Sequence, residues 1–199
     1  ANAFGATTGG FLAGVKVRYY VEARSANTAQ AAAFLPDHAE QAPFSYRVTT
    51  SAGTTSPVVI NELMADNERT VTDPQGQDED WIELRNLSAE EVDLTGHYLS
   101  DNPENPRKWP FPAGTKIPSG GYLLVWADED GSDTPGLHAS FKLAAGGESV
   151  LLVDTDARLN ALLDSVAFGA LATDQAYGRK AADPTNFSVL APTPGTANP

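Results

Sequence analysis

VVINELMA (58–65), DWIELRNLS (80–88), VDLTGHYLSD (92–101), RKWPFP (107–112) and GGYLLVWAD (120–128) are the runs that decide the fold. Each is short and rich in β-branched and aromatic residues, and each is bounded by turn formers such as Asp-Pro, Asn-Pro and Pro-Ser-Gly-Gly. Apolar residues do not recur at the helical period anywhere in this stretch. Short strands at this spacing predict an all-β sandwich.

Alternation along the strands assigns faces. In GYLLVWA, Tyr122, Leu124 and Trp126 oppose Leu123 and Val125, so both faces are apolar and the strand is expected to be central. ESVLLVD (148–154) has the same character. In DWIEL, Ile82 and Leu84 are expected inside, with Trp81, Glu83 and Arg85 on a face that is wet or partnered. In VVINELMA, strict alternation puts Glu62 on the interior side with Val58, Ile60 and Met64, where an unpaired carboxylate is costly. Backbone N–H groups, Arg85 across the sheet, or a cation must therefore satisfy it.

Calcium suits such a position, because the hard ion takes six to eight oxygens from carboxylates and carbonyls. The candidate ligands are Glu62, Asp66, Asp78 and Asp80 around the first loop, Asp101 at the end of a strand, and Asp128 and Asp130 in a second acidic loop. The spacing Asp73-Pro-Gln-Gly-Gln-Asp78-Glu-Asp80 departs from the EF-hand pattern, and solvated loops are the competing reading. Trp81, Trp109 and Tyr98 are candidate platforms for stacking on sugar rings, against the alternative of packing in the core. No Gly-x-Ser-x-Gly elbow, His-Glu-x-x-His pair or phosphate-binding glycine loop occurs. His38, His97 and His138 are isolated in sequence and read as surface or strand residues. Glu62 and Asp80 as a glycosidase acid and base would need a cleft between them, so an enzyme with a carboxylate site is the remote alternative.

Composition narrows the partners. Thirteen basic against 26 acidic residues give a net charge of −13, which disfavours nucleic-acid phosphates and anionic membrane surfaces and favours cations or basic partners. Cysteine is absent, which excludes disulfides and thiolate metal sites. No apolar run approaches the roughly 18 residues of a membrane helix, so membrane insertion is not expected. Nor does the start carry the basic and apolar regions of a signal peptide, and the chain reads as an internal or C-terminal piece of a longer protein.

The first 56 residues differ from the rest. GVKVRYYVEARS alternates as a strand and Phe44 to Val48 reads as another, with an alanine-rich loop from Asn27 to Gln41 between them. This segment is expected to be the last part of a preceding fibronectin- or immunoglobulin-like module, ending in a Thr/Ser/Gly linker at 49–57. The main domain is expected over 57–199. At its far end a strand around Tyr177-Gly178-Arg179 precedes a proline-rich tail, 191–199, without regular structure.

Several motifs follow one another in a specific order. They begin with Ile60-Asn61-Glu62-Leu63-Met64-Ala65-Asp66-Asn67, Asp80-Trp81-Ile82-Glu83-Leu84-Arg85-Asn86 and Asp93-Leu94-Thr95-Gly96-His97-Tyr98-Leu99-Ser100-Asp101. Trp109-Pro110-Phe111-Pro112, Ile117-Pro118-Ser119-Gly120-Gly121-Tyr122, Trp126-Ala127-Asp128, Gly147-Glu148-Ser149-Val150 and Tyr177-Gly178-Arg179 continue the series. Together they resemble the bacterial form of the lamin tail domain. The resemblance implies an immunoglobulin-like β-sandwich used as a non-catalytic interaction or spacing module of a larger exported or cell-surface protein. A protein or a cell-surface polymer is the implied partner, and a carbohydrate-binding module that targets a linked enzyme is the alternative. Metazoan relatives act in the nucleus, but this chain has neither a heptad rod nor a basic patch, so that role is not expected here. Nothing in the pattern demands pairing of two chains.

Overall fold

The computed structural model describes residues 16–24, 32–35, 44–47, 56–130 and 134–199. The chain divides into two compact units, Ala1–Ser51 and Ala52–Pro199. In the first, β1 (Lys16–Tyr19) pairs antiparallel with β4 (Phe44–Arg47), and β2 (Val21–Arg24) pairs antiparallel with β3 (Ala32–Leu35). The single strand expected over GVKVRYYVEARS is thus interrupted at Tyr20. Part of the expected alanine-rich loop is β3, where cross-strand pairing with β2 overrides the poor intrinsic strand preference of alanine. Most of the expected linker lies outside the described residues.

The second unit is a two-sheet sandwich with no α-helix among the described residues. Its strands begin with β5 (Val58–Met64), β6 (Trp81–Asn86), β7 (Val92–Asp93), β8 (Tyr98–Ser100), β9 (Trp109–Pro110) and β10 (Lys116–Ile117). They continue with β11 (Tyr122–Ala127), β12 (His138–Ala139), β13 (Ser149–Val153), β14 (Leu162–Ala167), β15 (Ala176–Lys180) and β16 (Asp183–Leu190). One layer is a sheet of six strands in the order β12-β11-β6-β5-β15-β16, the other a sheet of four in the order β14-β13-β8-β9, and β7 and β10 pair separately as a two-stranded antiparallel sheet. Val58, Ile60, Leu63, Ile82, Leu84 and Val125 from the first sheet meet Leu99, Val150, Leu152 and Val166 from the second in one apolar core.

A β-bulge in β5 corrects the expected placement of Glu62. Ile60 pairs with Leu84 but Glu62 pairs with Glu83, leaving Asn61 as the extra residue. The slip moves Leu63 onto the core face and turns Glu62 and Met64 to the opposite one. On its other side β5 pairs with β15 only over Glu62–Met64, so the Ile60 backbone is met there by side chains. Asp164 of β14 accepts the Ile60 N–H at 2.7 Å, and Arg179 Nε of β15 donates to the Ile60 carbonyl at 2.7 Å. Arg179 Nη2 reaches both oxygens of Asp164 at 2.8 and 2.6 Å, so one ion pair holds the bulge and joins the two sheets.

The outer face of the six-stranded sheet is not wet at its middle. Met64, Trp81, Trp126 and Ala176 form a second buried cluster there, with Val71, Leu124 and Leu190 packed around it. Trp81 and Glu83 are both fully buried, which settles the face left as wet or partnered in favour of partnered. β11 is not central as expected: β12 pairs with it only at Trp126 and Ala127, so Tyr122 to Leu124 remain half-buried. β16 went unread in sequence because it opens with Asp-Pro-Thr-Asn, which carries turn chemistry.

Candidate functional site

Two chains of contact bring chemistry together in the second unit. The first lies where β11 ends and β12 begins. Trp126 and Ala127 run parallel to His138 and Ala139, which sets Asp128 beside the His138 imidazole. Asp128 Oδ2 stands 2.5 Å from His138 Nδ1, and its Oδ1 accepts the Asp130 N–H at 3.0 Å. His138 Nε2 faces the Pro135 carbonyl at 3.3 Å. Gly136 makes that approach possible, since a Cβ there would fall 2.6 Å from Nε2. Asp73, from the loop between β5 and β6, completes the cluster. Its Oδ1 accepts the Gln75 and Gln77 N–H groups at 2.9 and 2.7 Å. Asp73, Asp128 and His138 are 5%, 4% and 3% exposed, and one donor atom from each lies within 4.8 Å of the others. Burial opposes charge on His138, but the hydrogen bonds to Asp128 and Pro135 and the two nearby carboxylates outweigh it and raise its pKa. Burial likewise raises Glu79, helped by the charges of Asp128, Asp73 and Asp130 and opposed by Lys142.

The second is the carboxyl pair Glu62 and Glu83, cross-strand partners that are both 0% exposed. The C-terminal tail covers them. Thr193 donates its N–H and its hydroxyl to the two oxygens of Glu62, at 2.9 and 2.7 Å. Gly195 N–H and Asn61 Nδ2 donate to the two oxygens of Glu83. Asn198 closes the tail down by donating to the Asn61 and Arg179 carbonyls at 3.2 and 2.9 Å. The tail lies so close that a Cβ on Gly178 would meet Asn198 Nδ2 at 2.5 Å. Burial pushes Glu83 up to about 7 and raises Glu62, while the hydrogen bonds from the tail pull both the other way.

Against this geometry, the Lamin Tail Domain family matches residues 51–170, more than half of the chain. The chain belongs to the lamin tail domain family. Its two-sheet sandwich agrees with the immunoglobulin-like fold expected from the resemblance. The matched residues carry β5 to β14, and in this lamin tail domain β15, β16 and the covering tail follow the match. Comparison with curated proteins finds no match.

The carboxylates named in sequence as calcium ligands do not converge in this lamin tail domain. Glu62 is held by Thr193, and not by Arg85. Asp66 accepts the Thr173 hydroxyl at 2.6 Å, and Asp101 takes Lys108 Nζ at 2.7 Å. Asp78 and Asp130 are exposed. Asp80 is pushed up to about 6 by burial, against hydrogen bonds from the backbone of Asn67 and Leu143. Among the described residues only Asp73, Asp128 and His138 gather as a metal-ligand group. Sequence reasoning missed Asp73 and His138 as partners of Asp128, because the parallel β11–β12 pairing that joins them has no signature in residue spacing.

The stacking platforms are also corrected. Trp81 is 0% and Trp109 4% exposed, and rings so enclosed offer no face to a sugar. Trp109 instead packs edge-on to Phe111 at 4.9 Å. Tyr98 is half-buried, donates to Asp156 at 3.0 Å and lies under the Arg107 guanidinium. Glu62 faces Glu83 rather than Asp80, beneath the tail, so the acid–base pair drawn from sequence has no cleft. His97, read as isolated, has Asp154 3.3 Å from its Nε2, in a cleft of about 390 Å³ also lined by Ser56. The Ser56 hydroxyl in that cleft donates to the Val58 carbonyl at 2.6 Å, and so is not set up as a nucleophile for His97.

Proposed function

We propose that this lamin tail domain is a non-catalytic interaction module of a larger exported or cell-surface protein, and that it engages a protein partner by strand addition along β16. The observation that carries this reading is the position of β16. It is the last strand of the six-stranded sheet, pairs with β15 on one side, and has no described neighbour on the other. It is also the longest strand of the sheet, and over Phe187–Leu190, where it pairs regularly with β15, its outer edge offers backbone donors and acceptors. Val189 adds an apolar contact there at 52% exposure, beside the stacked rings of Tyr177 and Phe187.

The rest of the molecule supports a role without chemistry. Its three tryptophans are packed in the two cores, and its carboxyl pair is sealed by the tail. A net charge of −13 favours a partner with a basic surface.

Val189→Lys places a charge on the open edge without touching the core, a device by which sheet edges are kept from pairing. Wild-type protein immobilised on resin is expected to retain a cell-surface protein of the source organism. Val189→Lys is expected to lose that retention with an unchanged unfolding temperature. Equal retention by the two proteins would remove β16 from the interface.

A further inference from the structure

We infer that Asp73, Asp128 and His138 form a site for a divalent transition-metal ion of the zinc class, with His138 Nδ1 as its nitrogen ligand. The imidazole tautomer carries the argument. Nε2 is closed in by Gly136 and faces the Pro135 carbonyl at 3.3 Å, a backbone acceptor for the ring hydrogen in the tautomer protonated on that side. A backbone carbonyl behind the ring is the outer partner that metal-bound histidines use to fix their tautomer. In that tautomer Nδ1 presents a lone pair toward Asp128 Oδ2, 2.5 Å away. Two acceptors at that distance repel unless a positive charge lies between them. A second proton on the ring supplies it in the absence of metal, and an ion bound by both atoms replaces that proton and parts them to about 3.3 Å.

Asp73 distinguishes the two occupants. A proton shared by His138 and Asp128 needs no third group, yet Asp73 brings a further carboxylate, 95% buried, to within 4.8 Å of both. Its Oδ1 is engaged by the Gln75 and Gln77 N–H groups, and among the described residues no hydrogen bond ends on its Oδ2. Nitrogen and oxygen ligands of a tetrahedral zinc ion stand roughly 3.3 Å apart, so the three-ligand set is completed when the His138–Asp128 pair opens and the β5–β6 loop carrying Asp73 closes on it. Surrounding charge favours a cation, since Glu79 and Asp130 add negative charge and Lys142 reaches Glu79 only at 3.9 Å. The imidazole sets the class of ion. Calcium and magnesium take oxygen, whereas zinc and its neighbours accept nitrogen beside carboxylates.

The test is calorimetric titration of chelator-stripped whole chain with zinc, calcium and magnesium chlorides at neutral pH, with cobalt as a spectroscopic probe. One zinc per chain is expected, bound at least tenfold more tightly than calcium, with release of a proton and a visible cobalt absorption band. Asp73→Asn keeps the acceptor for Gln75 and Gln77, and is expected to weaken zinc by more than about tenfold without unfolding the chain. His138→Gln is expected to abolish the cobalt band, whereas His97→Gln is expected to leave it unchanged. The inference is overturned by absence of saturable zinc binding, by preference for calcium, or by binding that Asp73→Asn leaves intact. Loss of the cobalt band on His97→Gln alone would overturn it as well.

Discussion

Two carboxyl groups with no access to water lie side by side at Glu62 and Glu83, and they make the stability of the domain depend on pH. Burial lifts Glu83 from its ordinary 4.5 to about 7, so across that interval the folded chain holds a proton that the unfolded chain has released. The stabilisation is complete below the lower value and is lost as pH rises through the upper one. Asp80, lifted by burial from 3.8 to about 6, acts in the same direction. Urea unfolding is therefore expected to show stability falling between pH 5 and 8, with Glu83 supplying up to about 3 kcal/mol of the change. Glu83→Gln is expected to flatten the profile, and an unaltered slope in that variant would place the dependence elsewhere. Sequence alone marked Glu62 as a residue needing a partner, and backbone N–H from Thr193 is one of the solutions it allowed. It gave the wrong face, because a bulge at Asn61 breaks the period of two and leaves no trace in hydrophobic alternation.

At the scale of elements, the Arg179–Asp164 pair links β15 to β14 and satisfies both backbone groups of Ile60 at the bulge. Its two side chains are 14% and 15% exposed, so screening by water is limited but not absent. Arg179→Ala leaves Asp164 and the Ile60 carbonyl without that partner, and is expected to cost about 2–4 kcal/mol in chemical denaturation. A cost under about 0.5 kcal/mol would mean that the sheets are held by the apolar core alone. Strands β5, β6, β8, β11 and β13 were legible because their apolar residues alternate or run together between clear turn formers. β3 and β16 were not legible, since alanine and Asp-Pro-Thr-Asn read locally as loop and become strand only through pairing. The centrality of β11 was overestimated for a related reason, because apolar residues on both faces signal cover by packing and do not reveal how short a neighbouring strand is.

For the whole molecule, the sandwich class and the lamin tail domain family both follow from motifs spread along the chain. The acidic cluster was only partly legible. Asp128 was named from its loop, but Asp73 and His138 come from two other segments and are joined to it only by the folded sheet. What distinguishes the assembled domain is the contrast between its ends. One face of the six-stranded sheet is closed by the tail, whereas among the described residues β16 keeps an open edge along Phe187–Leu190. The most direct test of a binding role for that edge is amide hydrogen exchange on the intact chain, alone and with the cell-surface protein it retains. New protection is expected within Asp183–Leu190, with the buried strands β5 and β6 unchanged. Protection confined to other segments, with β16 exchanging as fast as in the free chain, would contradict it.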